Sequence, residues 1–429
     1  MTPRWLHQVS LLMGPGEEPI SADVLLGADG AIDAIGAEVV DRATALSLEP
    51  FEAAGLLLAP ALVDPHSLLE HPNSGSAETL HSLERSAVAA GYGTVALLPQ
   101  AGRWRDCPEA LTLPPLTSAL QLLLWGSLSS AGAGLDLAPH ADQLAAGALG
   151  LAEAAVTPPL PLLERALALA EMGDAPILLA PRDPSLSQQG FVRECVEALR
   201  AGWPADPVLS ETLPLQALLT LSRLYPQRRL QLMNLSTAEG VALLSALSPE
   251  QRPAASVSWW HLVADCGSLD PTAEGWRVEP PLGSPVDRRA LQQGLADGLL
   301  TAVAVHHLPL DPEEQLLPVD QRKPGVAGHR FVLPCLWQEL VVGAGWSAAQ
   351  LWQVLCFGPA SLLGLEAPRL AVGSRRWLLF DPEQPWAARE DAFAPLAANQ
   401  PLAQADLRGQ VVAVGLNPRL WRGPALVQA

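Results

Sequence analysis

The run Leu58-Ala59-Pro60-Ala61-Leu62-Val63-Asp64-Pro65-His66-Ser67-Leu68 ends a buried apolar segment in Asp-Pro-His. A His-x-His pair at such a strand end would offer two imidazole lone pairs to one metal ion. Here the second position is Leu68, which has no lone pair to give. A second candidate group is His306-His307, just beyond the apolar run Thr301-Ala302-Val303-Ala304-Val305. Two readings of these histidines stay open. They could join His66 and His71 in a rebuilt metal site, with Glu70 or Glu153 adding an oxygen. Alternatively they line a leftover cavity and hydrogen-bond to loops, which is the reading favoured here because metal sites need several convergent ligands. Lys323 is the only lysine, so no other position offers a Schiff base or a carbamylated metal bridge.

These residues need a scaffold. Short apolar runs at 94–98, 121–125, 175–179 and 301–305 read as buried parallel strands. Helical stretches lie between them, at 78–90, 160–172, 214–225, 237–247 and 285–297. About eight such units fit between residues 58 and 370, which predicts an α/β chain folded as a (β/α)8 TIM barrel. Residues 1–57 and 371–429 read instead as short strands, with a hairpin signal at Gly27-Ala28-Asp29-Gly30. They are expected to form one small β-sandwich domain together. Ser236-Thr237 followed by Glu239 reads as a helix N-terminus.

Composition excludes several classes. A net charge of −19 opposes nucleic-acid binding and attachment to anionic membranes. No apolar run reaches about 18 residues, so no membrane span is expected. Five scattered cysteines without a Cys-x-x-Cys motif suit reduced thiols. The chain has no signal-peptide pattern at its start, and a cytoplasmic location is expected.

Several segments in a consistent order resemble the cyclic amidohydrolases, specifically the dihydroorotase branch. They are Pro60 to His66, Glu78-Thr79-Leu80 through Gly91-Tyr92-Gly93-Thr94-Val95, Leu235 to Val241, Pro280-Pro281-Leu282 with Asp287-Arg288, and Ala360 to Leu365 with Ala371-Val372-Gly373. The resemblance implies an amidohydrolase-type barrel, a role in pyrimidine biosynthesis, and zinc-assisted hydrolysis of a cyclic amide. It also assigns positions. His66 matches the first metal ligand, while Leu68, Ala180 and Asn234 stand where further histidines belong. The bridging ligand falls near Ala152, with Glu153 as a possible substitute. His306 occupies the place of the catalytic aspartate. Glu70, Gln100 and Glu279 stand at substrate positions, Glu70 in place of an arginine.

A catalytic zinc normally keeps three protein ligands. The expectation is therefore a family member without the family's catalysis and without a bound cofactor, surviving as a structural or regulatory partner. Aspartate carbamoyltransferase is the candidate that the resemblance supplies, and a homo-oligomer, a dimer, is implied as well. Two alternatives stand beside this. One is an active dihydroorotase or related hydrolase with zinc in a rearranged site. The other is a sensor that binds a pathway metabolite without turning it over.

Overall fold

The computed structural model describes residues 2–268, 274–318, 320–417 and 419–421. The N-terminal strands are β1 (Arg4–Leu11), β2 (Ile20–Leu26), β3 (Ile32–Ile35), β4 (Pro50–Glu52) and β5 (Leu57–Pro60). The hairpin read at Gly27 to Gly30 joins β2 to β3, which pair antiparallel. Gly30 takes a left-handed φ of 84°, a conformation that an L side chain adopts only with strain.

A barrel strand begins one residue beyond β5. The first half of the barrel comprises β6 (Leu62–Ser67), β7 (Tyr92–Leu97), β8 (Gln121–Leu124), β9 (Gly126–Ser127), β10 (Leu151–Ala152) and β11 (Ile177–Leu179). Two short paired strands follow outside the barrel wall, β12 (Val192–Arg193) and β13 (Ala205–Asp206). The wall resumes with β14 (Leu230–Leu232), β15 (Ser256–Ser258) and β16 (Ala302–Ala304). All its ladders are parallel. Trp125 separates β8 from β9, and there the strand changes partner: Trp125 N bonds to Leu97 O, and the next amide, of Gly126, bonds to Gly150 O. An isolated Leu232–Ala255 bridge links β14 to the start of β15. The strands are nearly continuous apolar runs because both faces are covered, one by the barrel interior and one by helices.

Closure between β16 and β6 does not rest on a regular ladder. Leu68 N bonds to His307 O at 2.8 Å, and side chains make the remaining links. Asp64 Oδ1 accepts from Val305 N at 3.0 Å, and Ser67 Oγ accepts from His307 N at 2.9 Å. Ser67 Oγ in turn donates to Asp64 Oδ2 at 2.5 Å, and His329 Nε2 lies 3.1 Å from the same oxygen. A carboxylate only accepts, so the His329 proton sits on Nε2. Asp64, Ser67 and His329 are essentially inaccessible to solvent, so each of these bonds replaces one that water would otherwise make.

The chain's last strands, β17 (Trp377–Ala387) and β18 (Asp406–Val414), return to the N-terminal segment. β17 pairs antiparallel with β5, completing a seven-stranded sheet in the order β18-β17-β5-β1-β2-β3, with β4 also on β1. Strand β5 belongs to this sheet and β6 to the barrel, so the terminal sheet directly braces the strand that carries His66.

Asp64→Ala would leave Val305 N–H, Ser67 and His329 without their shared acceptor inside the barrel. A loss of about 3 kcal/mol or more is expected, since each abandoned buried group costs about 1–3 kcal/mol. Urea unfolding measures it, and an unchanged midpoint would show that the seam does not depend on this carboxylate.

Candidate functional site

The barrel's C-terminal mouth is built by His66 near the end of β6, by Ser256 of β15 and by residues just past β11, β14 and β16, where a fold of this kind carries its chemistry. His66 and His306 meet there. Their Nδ1 atoms are 3.1 Å apart and their rings are edge to face, with centroids separated by 5.1 Å. One Nδ1 must donate and the other accept, so this link holds a single proton. His66 Nε2 lies 2.8 Å from Ser256 Oγ, which also accepts from Asn234 N at 3.1 Å. Burial, with the neighbouring His306 adding to it, holds His66 well below the usual imidazole range. Burial likewise brings His306 down to about 4. Both rings are therefore neutral at pH 7, and the nitrogens of His66 are committed to protein partners.

The adjacent His307 faces elsewhere. Its Nδ1 accepts from Gly328 N at 3.3 Å, which leaves Nε2–H to approach Glu78 Oε2 at 3.2 Å. His71 lies at the exposed rim, 3.7 Å from Glu70. Of the four histidines considered for a rebuilt metal site, the structure brings together only His66 and His306. Among the described residues no three His, Cys, Asp or Glu side chains converge as a metal site. Leu68 is half-buried, and its backbone serves the barrel seam. Two imidazoles, an amide and aliphatic side chains do not fit the three-ligand set of a catalytic zinc.

Ala180 and Asn234 line a cavity of about 10 Å3 together with Arg182, Arg193, Glu211 and Glu279. Five charged side chains crowd this part of the mouth. Arg182 bonds to Asp206 at 2.6 Å and to Glu279 at 2.8 Å. Arg193 lies 3.4 Å from the other Asp206 oxygen and 3.3 Å from Glu211, and donates to Ser236 Oγ at 3.0 Å. Glu211 also accepts from both the amide and hydroxyl of Ser236 and of Thr237. Burial alone would lower the Arg182 pKa, but Glu279 and Asp206 outweigh it and hold the guanidinium above its ordinary value. The cavity has room for about one water molecule. Among the described residues Asn234 Oδ1 and Arg193 Nε are buried there without a hydrogen-bond partner.

Local structure explains how these groups arrive. Arg193 and Asp206 come from the short β12–β13 pair. Glu211 lies in the first turn of the helix Leu209–Leu224, and its bonds fix the start of the next helix, Ala238–Ser245. Thr237 is that helix's N-cap, accepting from Gly240 N at 3.0 Å, while the Ser236 hydroxyl points to Glu211. Asn234 and His306 both have left-handed backbones, with φ of 55° and 47°. Such strained residues concentrate where a fold aims side chains into a site.

The other candidate positions are dispersed. Glu153, just after β10, is buried and bound by Ser129 N at 3.0 Å and Ser129 Oγ at 2.8 Å. Burial pushes its carboxyl up to about 7 against those two bonds. Gln100 follows β7 and is half-buried, its Oε1 without a partner. Glu70 is exposed and helps line a rim cleft of about 200 Å3 with Glu78, Asp311, Glu314 and Lys323, whose ammonium sits 2.6 Å from Glu314. Sequence reasoning missed Arg193, Asp206 and Glu211. The signal available was weak: two arginines and two acids within 30 residues of irregular texture.

Arg193→Met removes the one cation paired with Glu211 among the described residues and should cost about 3–5 kcal/mol, the usual result of orphaning a buried charge. An unfolding midpoint equal to the parent's would refute a structural role for the network. The raised Glu153 pKa makes a second prediction. Its contribution to stability is full below the unfolded value near 4.5 and is lost as pH rises through about 7. Glu153→Gln should flatten the stability profile between pH 5 and 8, and parallel profiles for the two proteins would contradict the assignment.

No family model matches the chain. Over 392 residues it is 33% identical to a probable dihydroorotase-like protein of Synechocystis sp., covering 83% of this chain and 88% of that protein. A dihydroorotase of Listeria welshimeri is 26% identical over 374 residues, or 85% and 87% of the two chains. Among solved structures, L-hydantoinase (dihydropyrimidinase) from Arthrobacter aurescens superposes with a TM-score of 0.76 at 20% identity, covering 99% of this chain and 96% of its own. D-hydantoinase (dihydropyrimidinase) from Thermus sp. gives 0.73 at 16% identity, covering 96% and 93%. These structural likenesses concern the fold, an amidohydrolase TIM barrel with an attached β-rich domain. With the sequence relatives, they establish that the chain belongs to the dihydroorotase-like family of cyclic amidohydrolases.

Proposed function

We propose that this chain is a non-catalytic member of its family that acts as a structural or regulatory subunit, with aspartate carbamoyltransferase as its candidate partner. The observation that carries the loss of catalysis is the Glu279-Arg182-Asp206-Arg193-Glu211 chain of charges. It fills the mouth beside Ala180 and Asn234 and leaves about 10 Å3. A pocket for a small ligand usually offers roughly 300 Å3 or more. The same filling weighs against the sensor reading at this mouth. The hydrogen-bonded pair His66–His306 supports the idea from the other side, because a metal would have to displace Ser256 and break that link. The retained His66, with His306 beside it, is also the one feature that favours zinc hydrolysis in a rearranged site.

Support for a partner comes from the outer helices. Leu160 and Leu169 are exposed on one helix, and Leu209, Leu213 and Leu224 on another. A Tyr225 Oη to Glu164 Oε1 bond at 2.5 Å links the end of the second helix to the first. Leu209, Leu213 and Leu224 share one face of their helix, and exposed leucines so placed suit an association surface, for a partner or for a second copy of this chain.

Two measurements test the two halves separately. With zinc added, the purified protein should not cyclise carbamoyl aspartate; about one zinc per chain with cyclisation abolished by His66→Ala would overturn the non-catalytic reading. The chain should co-elute with aspartate carbamoyltransferase, and Leu209→Asp with Leu213→Asp should weaken that association at least ten-fold. Absence of any complex, and of any effect on that enzyme's rate, would end the partner assignment.

A further inference from the structure

The opposite end of the barrel holds a feature that the family reading does not explain. A cleft of about 390 Å3 opens beside the N-terminal ends of β14 and β15, and Arg223, Arg228, Arg229 and Arg252 all line it. In a chain of net charge −19, such a concentration of guanidinium groups is out of keeping with the rest of the surface. Glu250 is the one carboxylate in the lining. Among the described residues none of the four arginines makes an ion pair.

Three of them are held by backbone carbonyls at or just beyond helix C-termini. Arg228 donates from Nε to Leu167 O and from Nη1 to Gly173 O, after the helix Leu160–Leu169. Arg229 Nη2 donates to Ser361 O, in the helix Gly358–Leu362. Arg252 donates to Leu244 O at 3.1 Å and Leu247 O at 3.0 Å, closing the helix Ala238–Ser245. Each of the three keeps at least one terminal nitrogen out of these bonds. Arg223 makes no hydrogen bond at all among the described residues.

Charge decides what ligand fits. A helix C-terminus carries roughly half a negative charge, so three of them and Glu250 leave about one to two positive charges in the cleft. That is the charge of a single phosphate group, about −1.5 to −2 at pH 7. Arginine is also the side chain suited to phosphate, because its planar fork gives two parallel bonds to two oxygens. Anchoring to carbonyls fixes three of the forks in advance, which lowers the ordering cost of binding. The acidity of the whole chain does not prevent this, since fields are screened within about 8 Å at physiological salt. The volume exceeds what a bare phosphate needs and accommodates a small organic group as well.

We propose that this cleft binds a phosphate monoester of a small molecule, independently of whatever happens at the barrel's other mouth. Isothermal titration calorimetry at fixed ionic strength tests it, with inorganic phosphate, glycerol 3-phosphate and acetate as probes. Saturable one-to-one binding of the ester, tighter than phosphate and with no acetate binding, is expected. Arg223→Gln should weaken it at least five-fold without disturbing the fold, since that guanidinium bonds to nothing. Arg229→Gln should weaken it as well, whereas Arg85→Gln, outside the cleft, should not. No saturable heat, equal binding of acetate, an unchanged affinity in Arg223→Gln, or an equal loss in Arg85→Gln would each overturn the proposal.

Discussion

The Asp64 carboxylate is the group on which the rest of the molecule depends. A barrel must close its first strand on its last, and here a side chain carries much of that junction. Asp64 takes the Val305 amide, the Ser67 hydroxyl and the His329 ring at once. Ser67 then takes the His307 amide. The junction sets the distance between the ends of β6 and β16, and so it sets the distance between His66 and His306. Site geometry in this chain is thus a by-product of how the barrel closes.

Around that frame the mouth has become an interior. Buried arginines are tolerated when their charge is paired and most of their donors are bonded. Arg182 and Arg193 share three carboxylates, the hydroxyls of Ser210 and Ser236 and the Pro207 carbonyl, drawn from β13, the start of the helix Leu209–Leu224 and the adjoining loops. A polar core of this kind gives directionality where an apolar plug would give more stability. It ties β12–β13 to the start of the helix Leu209–Leu224 and to the turn after β14, and adds direction to the small apolar cluster of Phe191, Val192, Ala198, Cys266 and Trp276 on the same segment.

Much of the architecture was legible because periodicity encodes it. The runs at 94–98 and 301–305 became β7 and β16, shifted by a residue or two, and the hairpin around Gly27 to Gly30 formed where its glycines require. Pro214 misled the reading of its helix. Proline favours a helix's first turn, yet the helix starts at Leu209 and places Pro214 inside, because Ser210 and Glu211 in the added turn are drawn to Arg193. The charged plug could not be read, since β12 and β13 are two residues each and have no period to detect. Nor does spacing tell His306 from His307: a left-handed φ at His306 sends one ring into the mouth and leaves the next facing Glu78. The loss of ligands at 68, 180 and 234 was visible from residue types alone. What replaced them depends on contacts between residues far apart in the chain, 97 for Arg182 and Glu279 and 240 for His66 and His306.

Lys323 carries the only lysine ammonium in the chain, and it sits at the barrel rim with its side chain 63% exposed. Its bond to Glu314 keeps it protonated and oriented without hiding it. Amine-directed chemistry, which scatters labels over most proteins, would here, at a pH high enough to free the amine, reach a single side chain, beside the cleft of Glu70 and Asp311. The chain carries its own address for reporting on whatever covers that mouth.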